Sequence, residues 1–237
     1  MMACFHSTKT KKYLPKELCA IEKNYENDLY HFDHAEQLIS CKLLTTNPYR
    51  PHLRQVYPTT INEHCLTDDM LNVLKTYTDS KNNECCLKTN LNLLTNNDID
   101  WSYTNKLHSL IRGLQQHDIK PIYYRGLYLS DIEIKYYQDR INQHYYTQSF
   151  SSFTIDRILV YSGNAIIILR TTPENKSSIA NVWKWSTIPD EKEAILSIGS
   201  KLKICSVHYF GYKWEIEVEL IDEELDDDDK SHSDDDY

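Results

Sequence analysis

At 237 residues and 41% hydrophobic composition, the chain can bury a full core as one large domain or as a domain with an extension. Its formal charge of −9 resides in residues 222–237, DEELDDDDKSHSDDDY, where ten acids face one lysine; the remainder is close to neutral and no basic patch calls for nucleic acid. No apolar stretch nears the roughly 18–20 residues of a membrane helix, no secretory signal is visible, and seven cysteines without a CxxC pair exclude a zinc or disulfide framework.

Reduced thiols in a cytoplasmic protein are therefore expected, with no metal. Residues 1–60 mix lysines, tyrosines and four prolines (Pro15, Pro48, Pro51, Pro58) without sustained periodicity and read as an extension or irregular packing segment. A helix is predicted from Thr67, whose hydroxyl can cap it, with acids in the first turn and Met70, Leu71, Leu74 and Tyr77 at helical spacing. A second is predicted over residues 100–116, with Trp101, Leu107, Leu110, Ile111 and Leu114 as its apolar stripe.

Beyond Lys120 the pattern changes to short β-type runs. PIYYRGL predicts a strand stopping at Gly126, and Ser130 to Glu133 is a capping box opening a helix to about Asn142. Strands are expected at 145–151, 165–171, 193–197 and 201–208. The run 213–221 alternates cleanly, Trp214, Ile216, Val218 and Leu220 facing one way and three glutamates the other, after a turn at Phe210-Gly211. Helices first and strands after imply an α+β fold. The self-repelling acidic end at 222–237 is read as a disordered tail. Five glycines, none in GxGxxG or GxxxxGK, exclude the Rossmann and P-loop nucleotide sites.

Three features of the strand-rich half bear on chemistry. Tyr123-Tyr124-Arg125-Gly126 ends a strand on a guanidinium that either pairs with a structural carboxylate or offers a fork of donors to a pyrophosphate. Ser149-Phe150-Ser151-Ser152-Phe153-Thr154 alternates hydroxyls with aromatics. Glu191-Lys192-Glu193 sets two carboxylates at i and i+2, on one face if the segment is extended, after an irregular stretch holding Trp183, Trp185 and Pro189.

In this order and spacing, YYRG, SFSSFT and PDEKEAILSIGSKLKI resemble the arginine-specific mono-ADP-ribosyltransferases, whose signature is arginine, serine, then glutamate in an E-x-E pair. The resemblance implies a mixed, mostly antiparallel sheet core, with a catalytic domain over 61–221 made of a helical lead-in at 61–119 and a strand-rich core at 120–221. It implies that NAD or NADP is the co-substrate and that an arginine-containing protein is the partner. Arg125, Ser152, Glu191 and Glu193 become the catalytic set, with Arg125, Gly126, Ser152 and Phe153 contacting the nucleotide. Within that set Arg125 is the phosphate ligand, Ser152 orients the ribose and the glutamate, Glu193 is the catalytic carboxylate and Glu191 presents the acceptor. The loop 185–190 would face the target. The family usually has Ser-Thr-Ser where this chain has Ser152-Phe153-Thr154. An NAD glycohydrolase and a silent NAD-binding module are the alternatives.

Overall fold

The computed structural model describes residues 44–79, 84–115, 119–160, 163–172 and 178–221. The acidic run 222–237 and residues 1–43 of the expected extension lie outside them.

The described residues from 61 to 115 are mostly helical. A short strand, β1 (Ile61–Asn62), precedes α1 (Asp68–Tyr77), α2 (Glu84–Thr95) and α3 (Trp101–Gly113), and β2 (Leu114–Gln115) then pairs in parallel with β1. Thr67 caps α1 by accepting from Met70 N at 3.3 Å, and Asp68 and Asp69 complement the positive helix end. Met70, Val73, Leu74 and Tyr77 are its buried face, so Val73 takes an inward place and Leu71 sits at the margin. Asp100 is the cap of α3 rather than its first residue, accepting from Tyr103 N at 3.0 Å. The helix stops at Gly113, where an added Cβ would stand 2.6 Å from Pro58 O, and residues 114–115 then pair with β1 as a strand. The sequence expectation lacks α2, because cysteines and asparagines dilute its stripe of Leu91, Leu93 and Leu94.

Buried polar groups fasten the irregular segment before β1 onto these helices. Asn105 Oδ1 accepts from Arg54 N at 2.9 Å and Ser109 Oγ from Tyr57 N at 3.3 Å. The buried Tyr49 donates its hydroxyl to Leu93 O at 2.9 Å. No described helix is long and apolar enough to cross a membrane.

The second part is a sheet of β3 (Ile122–Leu127), β4 (His144–Tyr146), β5 (Ser151–Thr154), β6 (Ala165–Arg170), β7 (Ile179–Asn181), β8 (Glu193–Leu196), β9 (Lys201–Phe210) and β10 (Lys213–Ile221). Helix α4 (Asp131–Gln138) lies between β3 and β4. The strand order is β4-β9-β10-β6-β3-β5-β8-β7, with β10 and β6 parallel and the other neighbours antiparallel. The capping box of Ser130 and Glu133 opens α4 as expected, but the helix ends at Gln138 and Asn142 takes a left-handed φ of 69°. The strand expected over 145–151 is two strands, because the chain leaves β9 after Tyr146 and joins β8 from Ser151. Thr147 ties the crossover: its hydroxyl accepts from Ser200 N and donates to Ser197 O, each at 2.9 Å.

Two cores flank the β5–β8–β7 part of the sheet. Ala194 and Leu196 of β8 join Phe153, Leu169, Ile204, Ile216 and Val218 on one side. Ile195 joins Phe150, Leu74, Leu107 and Leu110 on the helical side. Each fully buried Leu, Ile or Phe stabilises by about 1.5–3 kcal/mol relative to exposure, and β10 delivers Ile216, Val218 and Leu220 to the first core as its alternation predicts.

Candidate active site

β3 pairs with β6 along its whole length, from Ile122 to Leu127, but with β5 only at Tyr124 and Thr154. Beyond that pair the two strands part, and the guanidinium of Arg125 reaches across, Nη1 donating to Ser152 O at 3.3 Å. A side chain here takes up a carbonyl that a continued ladder would have engaged. Gly126 follows on β3, at the same opening. The exit of β3 is fixed from behind: a Cβ on Gly163 would stand 2.0 Å from Leu127 O. The Asn164 amide brackets Leu129, accepting from its N and donating to its O, each at 2.7 Å.

Strand alternation divides the motif residues between two faces. Arg125 lines a cleft with Leu127, Tyr145, Gln148, Ser151 and Phe153. Phe153 is keyed into the first core and Phe150 into the helical one, so β5 cannot rotate without exposing a phenyl ring. Ser152 lies on the opposite face from Phe153. The register of Ser152 with Ile195 and of Thr154 with Glu193 makes Ser152 and Glu193 diagonal neighbours there. Ser152 Oγ donates to Glu193 Oε1 at 2.6 Å. Arg125 thus meets Ser152 through the backbone of β5, while Ser152 meets Glu193 through side chains.

Glu193 is tightly placed. Its carbonyl accepts from Val182 N at 2.9 Å and Trp183 N at 3.1 Å while its strand pairs with β5 on the other edge. Burial pushes its carboxyl from 4.5 up to about 7; the Ser152 hydrogen bond pulls it down, the charge of Glu191 pushes it up and Arg125 pulls it down. A carboxylate poised near neutrality beside a fixed hydroxyl is a common mark of a catalytic site.

Glu191 departs from the extended geometry expected for the E-x-E pair. It closes a 3₁₀ turn, Pro189–Glu191, and Lys192 is left-handed at φ 49° and ψ 44° before β8 begins. Conformations of this kind persist in a non-glycine residue only when the surroundings hold them. Here the end of β5 and the two residues after it do so: Thr154 Oγ1 donates to Glu191 O at 2.9 Å, Ile155 N to Lys192 O at 3.4 Å, and Lys192 Nζ to Asp156 Oδ2 at 2.8 Å. Thr154 and Asp156 are the supports that sequence reading missed; the hydroxyl closing the Ser152-Phe153-Thr154 run was the available signal. Desolvation raises the carboxyl of Glu191 above its usual range.

No protein-family model and no curated protein sequence matches the chain. Solved structures do match in fold. An ADP-ribosyltransferase from Clostridium botulinum aligns at TM-score 0.54 and 12% identity, over 65% of this chain and 87% of that one. An ADP-ribosyltransferase toxin from Paenibacillus larvae aligns at 0.55 and 13%, over 66% and 88%. The Clostridium limosum C3 exoenzyme gives 0.54 and 13%, over 68% and 88%. The motifs over 123–204 and the sheet built from them thus lead to one conclusion: this chain has the ADP-ribosyltransferase fold.

Proposed function

We propose that the protein is an NAD-dependent mono-ADP-ribosyltransferase that modifies protein arginine, with residues 61–221 as the catalytic unit against which 44–60 dock. The observation that carries the proposal is the Ser152–Glu193 hydrogen bond of 2.6 Å beside the opening that Arg125 bridges. The donor set suits a dinucleotide: a guanidinium for the pyrophosphate, a glycine next to it for close backbone approach, and a fixed carboxylate for the ribose.

Cleaving the bond between ribose and nicotinamide builds positive charge at the sugar carbon, and nicotinamide leaves with the bonding electron pair. Glu193, accepting from the ribose 2′-hydroxyl, stabilises that charge more in the transition state than in the ground state. Ser152 holds the carboxylate in place. The pyridinium charge of NAD also favours ionised Glu193, offsetting the burial that raises it in the free protein. Arginine is protonated below a pKa of roughly 12, so attack by a guanidinium nitrogen needs a group to align it and take its proton. Glu191, on a turn next to Glu193 and raised above the usual carboxylate range, is assigned that role. The stretch 185–190 faces the target.

Nicotinamide release from NAD by the purified chain tests the reading. Glu193→Gln should lower the rate by about 10²–10³-fold, the scale for losing one preorganised electrostatic contact. Release by Glu193→Gln at the parental rate would overturn it.

A further inference from the structure

Two residues before Ser152, the backbone of Phe150 lies ahead of the first β5–β8 pair, which is Ser151 with Leu196. Its amide and carbonyl instead meet one side chain, that of Asn90 on α2. Phe150 N donates to Asn90 Oδ1 at 3.2 Å and Asn90 Nδ2 donates to Phe150 O at 3.1 Å. The same Nδ2 lies 3.2 Å from the hydroxyl of Tyr77, whose ring packs edge-on against Phe150 with centroids 5.8 Å apart. Asn90 is 4% exposed, Tyr77 2% and Phe150 0%. A carboxamide reproduces the donor and acceptor pair of a peptide group, so Asn90 extends the β5 ladder by one residue where no strand is available. A buried amide is expensive unless its partners are met; here they are, and a leucine at this position would leave the buried N–H and C=O of Phe150 unpaired.

On that basis, and resting on the function proposed above, we infer that Asn90 is a positioning residue that sets the place of Ser152, and through it of Glu193. Phe150 and Ser152 are ~7 Å apart along an extended strand. Between them β5 is held by β8 on one edge and, where β3 has parted from it, by the Arg125 contact on the other. Releasing Phe150 lets the strand tilt toward the opening and lengthens the Ser152–Glu193 bond. Losing that donor raises the carboxyl of Glu193 further, because the Ser152 bond is one of the contacts lowering it; Arg125 and Glu191 are the other charges that face it.

The test uses the full chain with Asn90→Leu and Asn90→Gln, and Ser152→Ala as reference. Glu193 is titrated directly by carboxyl carbon NMR, and kcat and KM for NAD cleavage are measured alongside. Asn90→Leu should raise the Glu193 pKa in the direction of Ser152→Ala and lower kcat about tenfold or more, with KM for NAD within about twofold. Asn90→Gln, which keeps the amide on a longer arm, should move both quantities the same way but less, and decides alone if Asn90→Leu does not fold. Wild-type titration of Glu193 in folded Asn90 variants, with Ser152→Ala shifted, overturns the inference and leaves the proposed function standing. Shifted titrations in a protein that never cleaves NAD overturn the function and leave the positioning role standing.

Discussion

Glu193→Gln should make the protein more stable at alkaline pH while removing its chemistry. Burial raises the carboxyl of Glu193 from 4.5 to about 7 in the folded chain, so the folded state binds that proton more tightly than the unfolded one. The stability this confers is complete below pH 4.5 and is lost as pH rises through about 7. Ionising the group in the fold costs at most ~3 kcal/mol, and less where water reaches the residue, which is only partly buried. Glutamine never ionises, and its amide oxygen still accepts from Ser152. The variant should therefore exceed wild type at pH 8 by up to ~3 kcal/mol, at most roughly 6–12 °C in Tm for a chain of this size, and match it at pH 4. Other titrating groups, such as His108, held down to about 4 by burial and by Arg112, are common to both proteins and cancel. Thermal unfolding of both from pH 4 to 8 is the assay. A Tm difference independent of pH, or a variant less stable at pH 8, would refute the assigned burial of the charge.

Arg125→Lys keeps the charge but loses the planar fork, so NAD binding should weaken by about 1.5–3 kcal/mol; unchanged affinity by calorimetry would make Arg125 a purely structural bridge. Thr154→Val removes the hydroxyl holding Glu191 O at nearly constant volume. Arginine modification should fall more than NAD cleavage, and an equal fall in both would detach Thr154 from the acceptor side. The acid limb of kcat/KM for NAD, which reports the free protein, should lie near the Glu193 value of about 7. A limb near an ordinary carboxylate pKa would mean that another group limits the reaction.

Much of the fold was legible because its elements obey local rules. The alternation of β10, the Ser130–Glu133 capping box and the Thr67 cap each follow from neighbours within four positions, and the structure has them as expected. The hydrogen bond of Ser152 to Glu193 answers what the family resemblance implied and follows from no local rule. What escaped depends on contacts distant in sequence. The parting of β3 from β5, the crossover that splits 145–151, and the assignment of Phe150 and Phe153 to different cores are decided by which strands lie alongside. The left-handed Lys192 is held by Thr154, Ile155 and Asp156, and Asn90 answers the backbone of Phe150, 60 residues away. Neither leaves a periodic trace in composition.

The central claim is that two glutamates two residues apart serve different steps, and one experiment addresses it. Wild type, Glu193→Gln and Glu191→Gln are incubated with NAD labelled in its adenylate half and a small arginine analogue, and free nicotinamide and the ADP-ribosyl adduct are measured separately. Wild type should form both products and Glu193→Gln neither, while Glu191→Gln should continue to release nicotinamide without forming adduct. Equal loss of both products in the two variants, or adduct formation by Glu191→Gln at the parental rate, would contradict the account.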